Sequence, residues 1–193
     1  MEATAFLEWA AVLFNLTYVL LAVKEKNACW PFGIIGSALS IWFFYAIGLY
    51  AEAILFLFYV FVGFYGWISW SKKRSERYLL RIISLHRNEH IILAIVGSIL
   101  ALALGYVLDE HTQAQSAYFD AFTTVFSFIA TWLTARKILE NWIYWIVIDL
   151  LTIGLYASKG AFVYAALSLI YTAMAIYGFQ EWKKRKALLE ADH

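Results

Sequence analysis

Long apolar blocks separated by short clusters of charge set the pattern of this chain, in place of the finer alternation of a soluble domain. The blocks fall near residues 3–23, 31–49, 51–71, 91–108, 118–135, 140–157 and 160–180. Each matches the ~17–25 residues that carry a helix across a hydrocarbon core. The predicted fold class is therefore all-α and integral to a membrane, with seven transmembrane helices. The first, fifth and sixth blocks also carry acidic residues, Glu8, Asp120 and Asp149 among them. Trp9, Trp30, Trp67, Trp70, Trp142 and Trp182 lie toward block ends, where indole rings favour the interface.

Composition agrees. The 193 residues are 63% hydrophobic with a single proline, and the mean hydropathy is +0.68. A soluble domain of this size has too little interior to hide that much apolar surface, so lipid must act as solvent. Charge then orients the spans. Seven crossings collect fourteen of the fifteen basic residues on one side, from Lys24 through Lys72–Arg87 and Arg136 to Lys186, and leave only Lys159 on the other. By the positive-inside rule the N-terminus is outside and the C-terminus cytoplasmic, as in a multi-pass protein of a bacterial cytoplasmic membrane. Glu2 and Glu8 stand where a signal peptide would carry Lys or Arg, so the first block reads as a retained span. A lone Cys29 excludes an intrachain disulfide and a multi-thiolate zinc site.

The ends of the chain resemble each other. Ile47-Gly48-Leu49-Tyr50-Ala51 recurs as Ile153-Gly154-Leu155-Tyr156-Ala157. Tyr59, Tyr65-Gly66 and Trp70 reappear at constant offset as Tyr171, Tyr177-Gly178 and Trp182, after a gap of six residues in the match. The predicted organisation is a first three-helix bundle (1–73), a basic cytoplasmic loop with linking helix 4 (74–112), and a second three-helix bundle with a basic tail (113–193). One linking span gives both trios the same orientation, the parallel-repeat plan (3+1+3) of SWEET-like carriers, with substrate between the repeats.

Candidate chemistry centres on Asp149, a carboxylate inside a tryptophan-flanked span. Such residues are expensive in lipid and usually face a cavity or a partner. Trp142, Trp145, Asp149, Thr152 and Tyr156 follow at spacings of three and four and share a helix face. Rings beside a carboxylate suit a flat cation through stacking, cation–π attraction and charge pairing. Tyr59, Gly63, Gly66, Trp67 and Trp70 form a comparable stripe on span 3, and Asn15 is an isolated amide in span 1. Tyr177 mirrors Tyr65, and Glu140 is placed to pair with Arg136 one turn earlier. The chain contains no phosphate-binding G-x-x-x-x-G-K-[ST] loop, and its four histidines lie in loops or at the terminus. No acid–base or metal-ligating constellation is visible, so neither enzyme chemistry nor a metal or cofactor is expected.

Gly48-Leu49-Tyr50-Ala51, Tyr65-Gly66-Trp67-Ile68-Ser69-Trp70, and Thr134-Ala135-Arg136-Lys137 followed by Glu140-Asn141-Trp142-Ile143-Tyr144-Trp145 resemble the Pnu-type (PnuC family) vitamin transporters. The resemblance implies two three-helix bundles with a linking helix, facilitated diffusion, and trapping of the vitamin by a cytoplasmic kinase. It departs from the nicotinamide riboside branch in three places: Asp149 stands at the asparagine of W-x-x-x-N, Phe56 at a glutamine, and Tyr177 at an asparagine. Loss of amides is costly where buried polar groups discriminate a ligand, and the thiamine branch is the better match. The expected substrate-binding set is Asp149, Trp145, Trp142, Asn141 and Asn15, with Phe56, Tyr65, Trp67, Trp70 and Tyr177 completing the wall. The expected function is uptake of a small vitamin, thiamine first, by alternating access. Nicotinamide riboside uptake is the alternative, and a non-transporting scaffold or sensor subunit the second. Expected partners are the vitamin, the lipid bilayer and a vitamin kinase, without nucleic acid; assembly into a homo-oligomer is left open.

Overall fold

A computed structural model describes residues 2–46, 50–71, 81–111, 116–158 and 162–191. Within them the chain forms α1 (Glu2–Val23), α2 (Cys29–Ala46), α3 (Tyr50–Ser71), α4 (Arg87–His111), α5 (Ala117–Ala135), α6 (Asn141–Ser158) and α7 (Phe162–Ala191). The seven apolar blocks are seven helices, and the fold is all-α. Ile47-Gly48-Leu49 of the repeat, Lys72, Lys73, Arg74 and Arg77 of the basic loop, Lys159 and His193 lie outside the described residues.

The 18 residues of α2 and of α6 rise about 27 Å, close to the hydrocarbon thickness. The 30-residue α7 is longer than its apolar block. Its Lys183–Lys186 run, expected as a tail, continues the helix because Ala, Leu, Glu and Lys are all strong helix formers. Arg185 donates to the Lys24 carbonyl at 3.0 Å and Lys186 to the Ser84 hydroxyl at 2.6 Å, which ties this extension to the neighbouring loops.

The helices close into a ring. α1 packs on α2, α2 on α3, α3 on α5, α5 on α6, α6 on α7, and α7 returns to α1. α4 packs mainly on α5, and its His90 ring reaches the Tyr144 hydroxyl of α6 at 3.1 Å. The packing on α5 runs through Gly97, Ala101 and Gly105, a column of small residues at every fourth position that lets two helices approach closely. Phe126 and Ile129 fill the space over Gly97, and Tyr118 the space over Gly105. The outward faces are apolar, with Trp42, Phe61, Ile99 and Leu169 exposed as lipid-facing residues would be.

Contacts between helix ends give the chain direction. The C-terminal ends of α1 and α7 meet, since the Trp182 indole donates to the Ala22 carbonyl at 3.1 Å. Those of α3 and α5 meet likewise, through the Trp70 indole and the Ala135 carbonyl at 3.1 Å. Hence α1, α3, α5 and α7 run one way and α2, α4 and α6 the other. The two trios have the same orientation, and the basic residues Lys24, Lys26, Arg136, Lys137 and Lys183–Lys186 gather at one end.

Candidate functional site

The repeat is a structural one. A shift of 112 positions maps Trp30 on Trp142, Tyr59 on Tyr171, Gly66 on Gly178 and Trp70 on Trp182. Trp30 meets Trp70 edge-on with centroids 5.3 Å apart and an interplanar angle of 88°, and Trp142 meets Trp182 at 5.4 Å and 88°. Gly66 leaves room for the Trp30 ring and Gly178 for the Trp142 ring, where added Cβ atoms would collide. Trp70 and Trp182 touch at 6.0 Å. Together the four indoles make an aromatic floor at the basic end, half of it from each trio.

Below the floor the same symmetry recurs in the turns after α1 and α5. Glu25 bonds back to Ala22 and Lys26 to Leu21; Lys137 bonds back to Thr134 and Ile138 to Leu133. This is the Schellman ending, whose left-handed residue is usually glycine. Here those positions hold Glu25 (φ 51°) and Lys137 (φ 54°), an uncommon conformation for side-chain-bearing residues. The two pair with each other at 2.9 Å, and Arg185 adds a second contact to Glu25 at 3.2 Å. Lys137 also lies 4.8 Å from the Trp70 ring centre. Opposite charges therefore clamp the two trios where backbone relaxation alone would favour glycine. Cys29, fully buried one turn away, reports on this clamp. Glu25→Gln is expected to raise the rate of Cys29 alkylation on the order of tenfold, since losing a charged hydrogen bond costs about 1.5–3 kcal/mol. An unchanged rate would show that the pair does not hold the end shut.

Above the floor lies a cavity of about 380 Å³ lined by all six ring helices and by none of α4. Small-molecule sites commonly hold about 300–1,000 Å³. The first trio contributes Asn15, Tyr18, Gly33, Ser37, Phe56 and Tyr59; the second contributes Trp142, Trp145, Asp149, Thr152, Ser168 and Tyr171. A column of hydroxyls, Thr123, Thr124, Ser127 and Thr131, faces in from α5. The chemistry is less symmetric than the backbone. Where α6 presents Trp145 and Asp149, the equivalent positions of α2 are Gly33 and Ser37, and the space left by Gly33 takes the Tyr18 ring. Among the described residues Asp149 is the single acidic residue in the lining, and no Lys, Arg or His lines the cavity. Its carboxylate makes no hydrogen bond or ion pair among the described residues; the nearby Thr152 hydroxyl binds the Asp149 backbone carbonyl at 2.8 Å. Tyr59 and Tyr171 both lie near this carboxyl, one from each trio.

Five of the ten residues expected at a binding site line this cavity: Asp149, Trp145, Trp142, Asn15 and Phe56. Five do not. Trp70 belongs to the floor but does not line the cavity, being engaged with Trp30 and Ala135. Tyr65, Trp67 and Tyr177 are partly exposed on the outer surface, Tyr65 stacked on Trp132 at 4.8 Å. Asn141 is fully buried in the α5–α6 turn, donating to the Ile138 carbonyl at 2.6 Å and accepting from Thr134 at 2.9 Å. Glu140 does not pair with Arg136; it accepts the Leu85 N–H at 3.2 Å and so fastens the approach to α4. Sequence reasoning passed over Trp30, Tyr171, Ser37 and the α5 hydroxyls, and kept Tyr59 off the binding set.

Comparison with known proteins settles the family. The model of the nicotinamide mononucleotide transporter family matches residues 5–184. The chain belongs to this family. It is 26% identical over 203 residues to the nicotinamide riboside transporter PnuC of Escherichia coli (strain K12), covering 92% of this chain and 85% of that one. It is also 26% identical over 126 residues to the riboflavin/roseoflavin transporter RibM of Streptomyces davaonensis, covering 63% and 58%. A crystal structure of the vitamin B3 transporter PnuC superposes with a TM-score of 0.77 at 23% identity, over 95% of this chain and 83% of that chain, and the fold is the same. The chain is thus a multi-pass membrane transporter, and its relatives are transporters rather than enzymes.

Proposed function

We propose that this transporter takes up a flat, positively charged vitamin by facilitated diffusion. The observation that carries the proposal is the Asp149 carboxyl, which lines an aromatic cavity of about 380 Å³ with no basic side chain among the described residues to neutralise it. A ring cation fits beside the Trp145 indole and the two tyrosines, above the Trp142 floor, with Asp149 as counter-charge. Nicotinamide riboside is the first candidate, because relatives matched over nine-tenths of this chain carry that name. The α5 hydroxyls offer its ribose hydrogen bonds that the missing amides do not. Thiamine is the second, favoured by a carboxylate at the asparagine position of the nicotinamide riboside pattern. Riboflavin is neutral and makes no use of Asp149.

The two trios rock about the cavity, and the basic end, closed here by the indole floor and the Glu25–Lys137 pair, faces the cytoplasm. A monovalent cation gains about 2.3 kcal/mol from a 100 mV inside-negative potential, roughly fifty-fold accumulation. No coupling ion is needed, and phosphorylation by a cytoplasmic kinase would hold the product inside. Uptake into proteoliposomes tests this without ATP or ion gradients. Saturable entry of nicotinamide riboside or thiamine, increased by an inside-negative potassium diffusion potential, is the expected result. Indifference to both cations would end the proposal.

A further inference from the structure

The segment before α4 carries a buried side chain that the ring of helices does not account for. Ile82 is 3% exposed and Ile83 45%, and Arg81 is exposed as well. This is the alternation of an extended stretch that turns one side chain inward. Three hydrogen bonds fix the stretch to the α5–α6 turn. Ile83 donates to the Lys137 carbonyl at 3.1 Å, Leu139 donates back to the Ile83 carbonyl at 2.8 Å, and Leu85 donates to the Glu140 carboxylate at 3.2 Å. A fourth, from Lys186 to the Ser84 hydroxyl at 2.6 Å, fixes it to α7. All four lead to the second trio. The Ile82 side chain itself belongs to an apolar cluster that both trios build. Ala22, Val23 and Cys29 come from the first, and Leu139, Trp142 and Trp182 from the second.

We infer that residues 81–85 form a third leaf of the closed basic end, with Ile82 as its plug, and that this leaf travels with the second trio when the end opens. The inference rests on the rocking cycle and cytoplasmic exit proposed above. Lys137 joins the parts. Its side chain holds Glu25 of the first trio at 2.9 Å, and its carbonyl holds the strap. Once the Glu25–Lys137 pair breaks, directional hydrogen bonds keep the strap on the second trio. The apolar association of Ile82 with first-trio side chains has no such geometry to preserve. Parting of the trios therefore draws Ile82 from its seat and brings it to water. A strap that served only to cover the α5–α6 turn would keep Ile82 sealed throughout.

Ile82→Cys in a Cys29→Ala background places the sole thiol of the chain on the plug. Its alkylation by a water-soluble maleimide is followed on the full-length protein in detergent. Adding Glu25→Gln is expected to raise the rate on the order of tenfold, the opening that Cys29 reports in the native background. Ile83→Cys, at a position already exposed, is the control and should keep its rate. A thiol at position 82 that ignores Glu25→Gln overturns the inference, whether or not Cys29 responds. Hydrogen exchange gives a second reading with Ile82 in place. The Ile83 and Leu85 amides should stay protected in Glu25→Gln, because the leaf leaves together with its acceptors; loss of that protection would mean that the strap peels away alone, against the inference. In proteoliposomes taking up nicotinamide riboside or thiamine, the Ile82→Cys thiol is expected to label severalfold faster than without vitamin. Uptake with unaltered labelling also overturns the inference. Absence of uptake of both vitamins sinks the cation reading instead, and the Glu25→Gln comparison still decides the strap.

Discussion

Asp149→Asn is expected to lower affinity for a cationic vitamin roughly ten- to hundredfold. The substitution keeps size and hydrogen-bonding capacity and removes only the charge. A hydrogen bond involving an ionised group is worth about 1.5–3 kcal/mol, and each 1.4 kcal/mol is about a decade in affinity. Among the described residues the cavity provides no second acid to compensate. Stability should hold, because among the described residues the carboxylate makes no hydrogen bond or ion pair. Titration of nicotinamide riboside and thiamine, alongside uptake at a fixed potential, provides the measurement. Undiminished binding of both cations would remove the counter-charge role. A loss confined to thiamine would assign the carboxylate to that vitamin, since asparagine is the residue of the nicotinamide riboside pattern.

Gly66→Ala and Gly178→Ala carry the second large effect. A Cβ at Gly178 would lie 2.7 Å from the Trp142 ring, and one at Gly66 closer still to Trp30. Neither ring can retreat easily: Trp30 is wedged between Tyr18 and Trp70, and Trp142 rests on Trp182. Overpacking of this kind costs about 1–3 kcal/mol, which for a chain of this length lowers the unfolding midpoint by roughly 3–10 °C. Gly154→Ala is the control, since nothing lies within 4 Å of a Cβ built there. Thermal unfolding in detergent separates the three variants. If the floor glycines tolerate alanine as well as Gly154 does, the close approach of rings and helices is not structural.

The fold was legible because its cause is one-dimensional. Apolar blocks of membrane length give the helix count, and the side on which Lys and Arg collect gives the common direction of the trios. The site was only half legible. Spacing places Trp142, Trp145, Asp149 and Thr152 on one face of α6, and all four line the cavity. On α3 the same rule groups Tyr59, Gly63, Gly66, Trp67 and Trp70, yet the cavity takes only Tyr59 and Gly63. Periodicity says which residues share a face, not which way it points, and α3 is apolar all round. Its glycines decide the matter, because Gly66 admits Trp30 from α2 and so turns Trp67 toward lipid. The signal for Trp30 was present in the repeat: the offset between Tyr59 and Tyr171, applied to Trp142, lands on it. The pairing of Glu25 with Lys137 was beyond reach, since residues 112 positions apart in two polar turns meet only when the ring closes.

The crossed indole bonds at the basic end bear on how many steps a transport cycle has. Trp70 grips the neighbouring trio's backbone at Ala135, and Trp182 grips back at Ala22. Releasing either grip alone leaves the other still fastening both partners. In the rocking cycle proposed above, this end would part as a single cooperative event, with both tryptophans leaving their carbonyls together.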